Sequence, residues 1–222
     1  MKGLHGLIFA YGKHPGLREL AEHRAPASVP FGGRYRMIDF ILSNMVNAGV
    51  DDVGVILHGN YQSLLDHLGS GKDWDLSRKH GGLRLLPPFA VVQHRDDSTF
   101  RGKMEALAGV QSYLENIRQD HVVLADSDTI INLPLQEVYA AHLCSGADIT
   151  AVCTSRYRGD LEDGSCFQVD GSGRVTSTVV DLKTPEGLQC LDIFIMSKEL
   201  LLRLVEECRR LDHYSFRGAV LR

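Results

Sequence analysis

Arg24 to Asn47 reads R-A-P-A-S-V-P-F-G-G-R-Y-R-M-I-D-F-I-L-S-N-M-V-N, and the rest of the chain can be placed around it. Pro26 and Pro30 exclude helix up to about Phe31, because proline lacks a backbone N–H and restricts the residue before it. Gly32 and Gly33 permit a tight turn or a close backbone approach. From Met37 onward Met37, Ile38, Phe40, Ile41, Met45 and Val46 recur at helical spacing, with Ser43, Asn44 and Asn47 on the other side. The segment therefore reads as a turn followed by a buried helix.

Outward from it, apolar runs alternate with helical patterns. Leu4 to Ala10 is a short apolar run closed by a Gly/Pro-rich loop, Tyr11 to Gly16, as a buried parallel strand with a binding loop should look. Asp52 to Leu57 predicts a second strand, Tyr61 to Leu68 a short helix, and Gly69 to Pro88 a polar loop excursion. Phe89 to Gln93 predicts a third strand, Gly102 to Ile117 a helix, and His121 to Ala125 a fourth strand before the acidic turn Asp126-Ser127-Asp128. Leu135 to Cys144 follows as a helix, with Pro134 where a first turn tolerates it. Asp148 to Thr154 is a fifth strand. Strands alternating with helices imply βαβ units and a mostly parallel, Rossmann-like α/β sheet. Beyond about Tyr157, Ser165–Val169 and Arg174–Val180 predict a hairpin around Asp170-Gly171-Ser172-Gly173. Leu188–Met196 predicts a further strand, and Ser197 caps a helix over Lys198 to about Arg210.

Composition narrows the function. Hydrophobic residues make up 44% and the formal net charge is -4. No basic run appears, so nucleic acid and anionic membranes are not expected partners. The five cysteines have no C-x-x-C spacing and read as reduced thiols. Only Lys2 precedes the first apolar run, which is too short for a signal peptide, and no run reaches the ~18 residues of a membrane span. A soluble cytoplasmic protein is expected.

Pro30 to Asn44 matches P-F-G-G-x-Y-R-x-I-D-F-x-L-S-N at every fixed position, and in this it resembles the glucose-1-phosphate adenylyltransferases (ADP-glucose pyrophosphorylases). Gly71–Leu76 (G-K-D-W-D-L) and Leu85–Phe89 (L-L-P-P-F) are similar to the same family. The resemblance runs along the chain and weakens after about Thr154. It implies a GT-A type nucleotidyltransferase domain over residues 1–222, incomplete at its C-terminal end. Family members continue beyond Phe216–Arg222 into more of this domain and then a left-handed β-helix. A second metal-binding aspartate of the family would lie beyond Arg222.

In open parallel sheets ligands bind beyond the carboxyl ends of the strands, so the loop after the first strand is the natural phosphate site. The family's loop is G-G-x-G-T-R-L, whose glycines let backbone N–H groups wrap a triphosphate. Here Tyr11 stands for the first glycine, Gly12 keeps the second, His14 replaces the third, Pro15 the threonine and Gly16 the arginine. Lys13 and His14 then read as a solvated loop. Pro26 replaces a phosphate-contacting lysine, and His58 takes the place of an adenine-reading glutamine. Of Y-R-G-T-A-D-A only Arg101 and Gly102 remain in Phe100–Ala106.

The resemblance also implies Mg²⁺, which needs hard oxygen ligands. Ser127 falls at the metal-binding aspartate's position, with Asp126 and Asp128 beside it. Either carboxylate serves as catalytic metal ligand if the turn shifts by one residue. The other reading makes Asp126 a turn cap and Asp128 a solvated side chain. The nucleotide-binding set implied is Gly12, Lys13, Gly32, Gly33, His58, Arg101 and Gly102, with Lys183 on the sugar phosphate. Arg34, Tyr35, Arg36, Asn60 and Ser63 are also kept, and so is Asp39, which reads equally as a partner for Arg36.

A kept scaffold with an altered phosphate loop resembles the family's GlgD-type companion subunit. Such a chain assembles with a catalytic GlgC-type homologue that makes ADP-glucose from ATP and glucose 1-phosphate for glycogen biosynthesis, and has little activity alone. The alternative is a competent nucleotidyltransferase with changed loop geometry. A third reading is a sugar-phosphate-binding regulator acting by itself.

Overall fold

The computed structural model describes residues 3–12, 15–87, 100–156, 165–180 and 187–220. Among these residues, strand β1 (Leu4–Phe9) lies at the centre of an eight-stranded sheet. It pairs in parallel with β4 (Asp52–Ile56) on one side and β6 (His121–Asp126) on the other. Outside β4 runs β5 (Gly82–Leu86), also parallel. On the far side of β6, β10 (Leu188–Ser197) runs antiparallel and carries β7 (Ile149–Thr154) and β8 (Ser165–Val169), and β9 (Val175–Val180) completes a hairpin with β8.

Side chains alternate across β1, and each set has its own helices. Leu4 and Ile8 face α1 (Met37–Asn47), α2 (Gln62–Leu68) and α5 (Leu135–Ser145). Leu7 and Phe9 face α3 (Lys103–Gly109), α4 (Gln111–Asn116), α6 (Lys198–Arg210) and α7 (Phe216–Val220). This is the period-two rule of a strand buried on both faces. In α1 the fully buried residues are Ile38, Ile41, Leu42 and Met45, the i, i+3, i+4, i+7 stripe. Each contributes about 1.5–3 kcal/mol by leaving water. Gly6 leaves the room Met45 occupies, since a Cβ there would lie 2.6 Å from its sulfur.

Several expectations need correction. The stretch Gly69–Pro88 is not one loop, because Gly82–Leu86 is the edge strand β5 and Lys72–Trp74 forms a short 3-10 turn. The helix expected over Gly102–Ile117 breaks at Val110 (φ -114°) into α3 and α4. The strand over Asp148–Thr154 belongs to the antiparallel half; apolar content does not encode strand direction. Asn44, read as lying on the other side of α1 from its apolar residues, is itself buried, its amide donating to Ile131 O (2.8 Å) and accepting from Leu133 N (3.1 Å). The strand expected over Phe89–Gln93 lies outside the described residues.

Candidate functional site

The parallel strands end together. Ala10 N–H donates to Ile56 O (3.0 Å), Leu57 N–H to Leu86 O (2.9 Å) and Ser127 N–H to Phe9 O (3.2 Å). Beyond this edge the chain turns away at Tyr11 and Gly12, at His58, and at Ser127-Asp128. The helices α1 and α3 run back across the sheet, so their N-termini start at the same edge. Sequence order thus brings Tyr11, His58, Gly102, Asp126 and Asp128 to one end of the molecule, where an open α/β sheet binds its ligands.

At this end aromatic side chains pack on one another. The Tyr11 ring lies 5.1 Å from Phe100, 6.0 Å from Phe9 and 6.3 Å from His58, while His58 and Phe100 are 4.6 Å apart, all between centroids. Pairs in this range add about 0.5–1.5 kcal/mol each beyond burial. The Tyr11 hydroxyl is buried with no hydrogen-bond partner among the described residues. Burial, reinforced by Asp126 and Glu105, raises it well above its ordinary value. Burial also lowers the His58 imidazole, with Glu105 opposing.

Next to this cluster is a chain of charges. Lys103, the first residue of α3, donates through Nζ to Asp126 Oδ2 at 2.8 Å and lies 3.7 Å from Asp192 Oδ1. Arg217 of α7 pairs with the other side of Asp192. Asp192 sits at a register shift in β10 with φ 54°, a left-handed conformation that aspartate tolerates better than most residues. Burial alone would lower the Lys103 ammonium, but Asp126 and Asp192 outweigh it and hold it above its ordinary value. Burial pushes Asp126 up to about 6, with Lys103 opposing and Asp192 and Asp128 reinforcing. At Asp192 burial is outweighed by Lys103 and Arg217, which keep its carboxyl below the usual range.

The remaining predicted residues have the following surroundings. Arg101 forks onto Glu105 Oε1 (3.0 and 2.8 Å) and stacks 3.4 Å from the centre of the Tyr214 ring. A Cβ on Gly102 would lie 2.2 Å from Tyr214 O, so Gly102 admits the C-terminal segment against α3. Gly32 (φ 62°) and Gly33 (φ 81°) form the exposed turn between β2 (Pro30–Phe31) and β3 (Tyr35–Arg36). Arg36 reaches Ser63 Oγ at 2.7 Å, and Asp39 accepts from Arg36 N (2.9 Å) and pairs with His67 Nε2 (2.6 Å). Gly12 (φ 145°) is exposed. Lys13 and Lys183 lie outside the described residues.

The sequence pattern did not single out Lys103, Asp192 and Arg217. The one available signal was Asp192, a lone acid inside the apolar run Leu191–Met196.

The Mg²⁺ that the resemblance implies does not fit these residues well. Asp126 Oδ2 and Asp192 already face an ammonium, and among the described residues no group of three or more His, Cys, Asp or Glu is placed to hold a metal. No helix of the described residues is long and apolar enough to cross a membrane.

Comparison with known proteins agrees with the fold. The GlgD glycogen biosynthesis protein of Geobacillus stearothermophilus is 39% identical over 69% of this chain and 43% of its own length. A glucose-1-phosphate adenylyltransferase of Thermotoga neapolitana is 33% identical over 93% of this chain and 49% of its own length. The chain thus spans about half the length of the curated relatives it matches. A crystal structure named as a glucose-1-phosphate thymidylyltransferase of Bacillus anthracis superposes with a TM-score of 0.72. It shares 15% identity and covers 92% of this chain and 75% of its own, a likeness of fold. The nucleotidyl transferase family model matches residues 5–179, and with this sheet and these strand ends the chain belongs to that family.

Proposed function

We propose that this chain is a GlgD-type companion subunit, working in the cytoplasm beside a catalytic GlgC-type homologue in glycogen biosynthesis. The partner makes ADP-glucose from ATP and glucose 1-phosphate, and this chain raises that activity while having little of its own. The observation that carries the reading is the packing of Tyr11 on Phe100 (5.1 Å) and of His58 on Phe100 (4.6 Å). These rings occupy the end of β1 and β4, where the fold would receive a nucleotide. A binding loop must offer backbone N–H groups to phosphate, and here the position of the loop's first glycine carries a ring packed on its neighbours instead. The similarity to GlgD proteins supports the same reading.

A competent nucleotidyltransferase is the second reading. It is favoured by the 38% identity, over 90% of this chain, to a glucose-1-phosphate adenylyltransferase of Geobacillus stearothermophilus. Catalysis would then be in-line attack of a sugar phosphate on the nucleotide α-phosphate, helped by positioning and by charge stabilisation. ADP-glucose synthesis by the full-length chain, alone and mixed with a catalytic homologue from the same cell, separates the two. The companion reading expects silence alone and stimulation in the mixture. Robust turnover by the chain alone would overturn it.

A further inference from the structure

We infer that the Lys103 ammonium is a tethered cation that engages both Asp126 and Asp192 and so leaves no place for a divalent ion between them. Its place is fixed from several sides. Asp126 Oδ2 lies 2.8 Å and Asp192 Oδ1 3.7 Å from Nζ, and the Phe9 ring presents its face at 5.5 Å. Lys103 follows Gly102, whose missing Cβ lets Tyr214 O come close enough to accept from Met104 N at 3.0 Å, and this anchors the start of α3. Asp192 is turned toward the site by its left-handed backbone and held there by Arg217.

These four side chains are two carboxylates and two cations, so the group is neutral as built. Mg²⁺ or Mn²⁺ at this position would need the oxygens that the ammonium already engages, at about 2.1 Å in octahedral array. It would also sit against a like charge in a partly dehydrated place, where such repulsion is least screened. The lysine therefore supplies the positive charge these carboxylates require, permanently and without a metal equilibrium. The inference concerns metal uptake alone and does not depend on whether the chain stimulates a partner.

Mn²⁺ binding to the full-length chain, read as loss of the free-ion EPR signal, tests it. Wild type and Asp126→Asn should take up Mn²⁺ equally weakly, and EDTA should leave the wild-type melting temperature unchanged. Lys103→Thr should bind Mn²⁺ about thirtyfold more tightly or better, the effect of removing a unit charge about 4 Å from a dication even at the dielectric of water. Adding Asp126→Asn to Lys103→Thr should abolish the gain. A wild-type Mn²⁺ site lost in Asp126→Asn would overturn the inference, and so would a folded Lys103→Thr with no gain. The wild-type comparison decides the matter should Lys103→Thr not fold.

Discussion

Lowering the pH from 7.5 to 5 should destabilise this protein through His5. The imidazole is fully buried at the amino end of β1, its Nε2 3.1 Å from the Tyr113 hydroxyl and its Nδ1 3.8 Å from Asp52 Oδ2. Burial, helped by the charge of Arg84, lowers it from 6.5 to about 4. In the unfolded chain His5 takes up a proton as pH falls through 6.5, while the folded chain does not until about 4. The unfolded state binds more protons throughout that window, so stability is fully present above 6.5 and is lost progressively on the way down to 4. At about 1.4 kcal/mol per pH unit the full gap is worth about 3 kcal/mol, of which about 2 kcal/mol falls between pH 7.5 and 5. Urea unfolding at the two pH values measures it, with His5→Asn as the comparison. The variant should be less stable at both pH values, because it strands the Tyr113 hydroxyl, but its loss on acidification should be smaller by about 2 kcal/mol. An identical acid loss in both proteins would refute the assignment of a neutral buried imidazole.

Two substitutions test how the site is assembled. Gly102→Ala drives a Cβ into backbone atoms, Tyr214 O at 2.2 Å and its carbonyl carbon at 2.6 Å, which no side-chain rotation can relieve. It should cost about 2–3 kcal/mol in chemical denaturation and speed tryptic cleavage at Arg217, whereas Gly171→Ala, with open space around it, should cost less than about 0.5 kcal/mol. Asn44→Ala removes both bonds that tie residues 131–133 to α1 and should cost about 2–3 kcal/mol, measured as a lower denaturation midpoint at unchanged slope.

Much of the parallel half could be read from local pattern. Leu4–Phe9, Asp52–Ile56 and His121–Asp126 are short, strongly apolar runs, and α1 carries its buried stripe at the expected spacing. The edge strand β5 was missed because its run is short, is interrupted by the exposed Arg84 between the partly buried Leu83 and Leu85, and follows the polar stretch Asp75–Gly81. The break at Val110 leaves no trace, because Met104, Leu107 and Leu114 keep helical spacing across it.

The site was legible in part. The departures from the phosphate-loop pattern at Tyr11 and His58 pointed to the end of the sheet where these side chains now pack together. The charge chain was not legible. Lys103, Asp126, Asp192 and Arg217 come from four distant elements, and nothing local to any of them encodes the meeting. Gly102, which the resemblance places among the nucleotide-binding residues, makes room for Tyr214 in this structure, a long-range contact that no local pattern encodes.

The most direct test of the account is equilibrium dialysis of the full-length chain against ATP, with Tyr11→Gly beside it. If the rings of Tyr11, His58 and Phe100 fill the nucleotide's place, wild type should bind ATP no more tightly than about 1 mM, and Tyr11→Gly should bind it more tightly. Saturable binding of one ATP per wild-type chain near 1 μM, a gain of about 4 kcal/mol over that limit, would contradict the account.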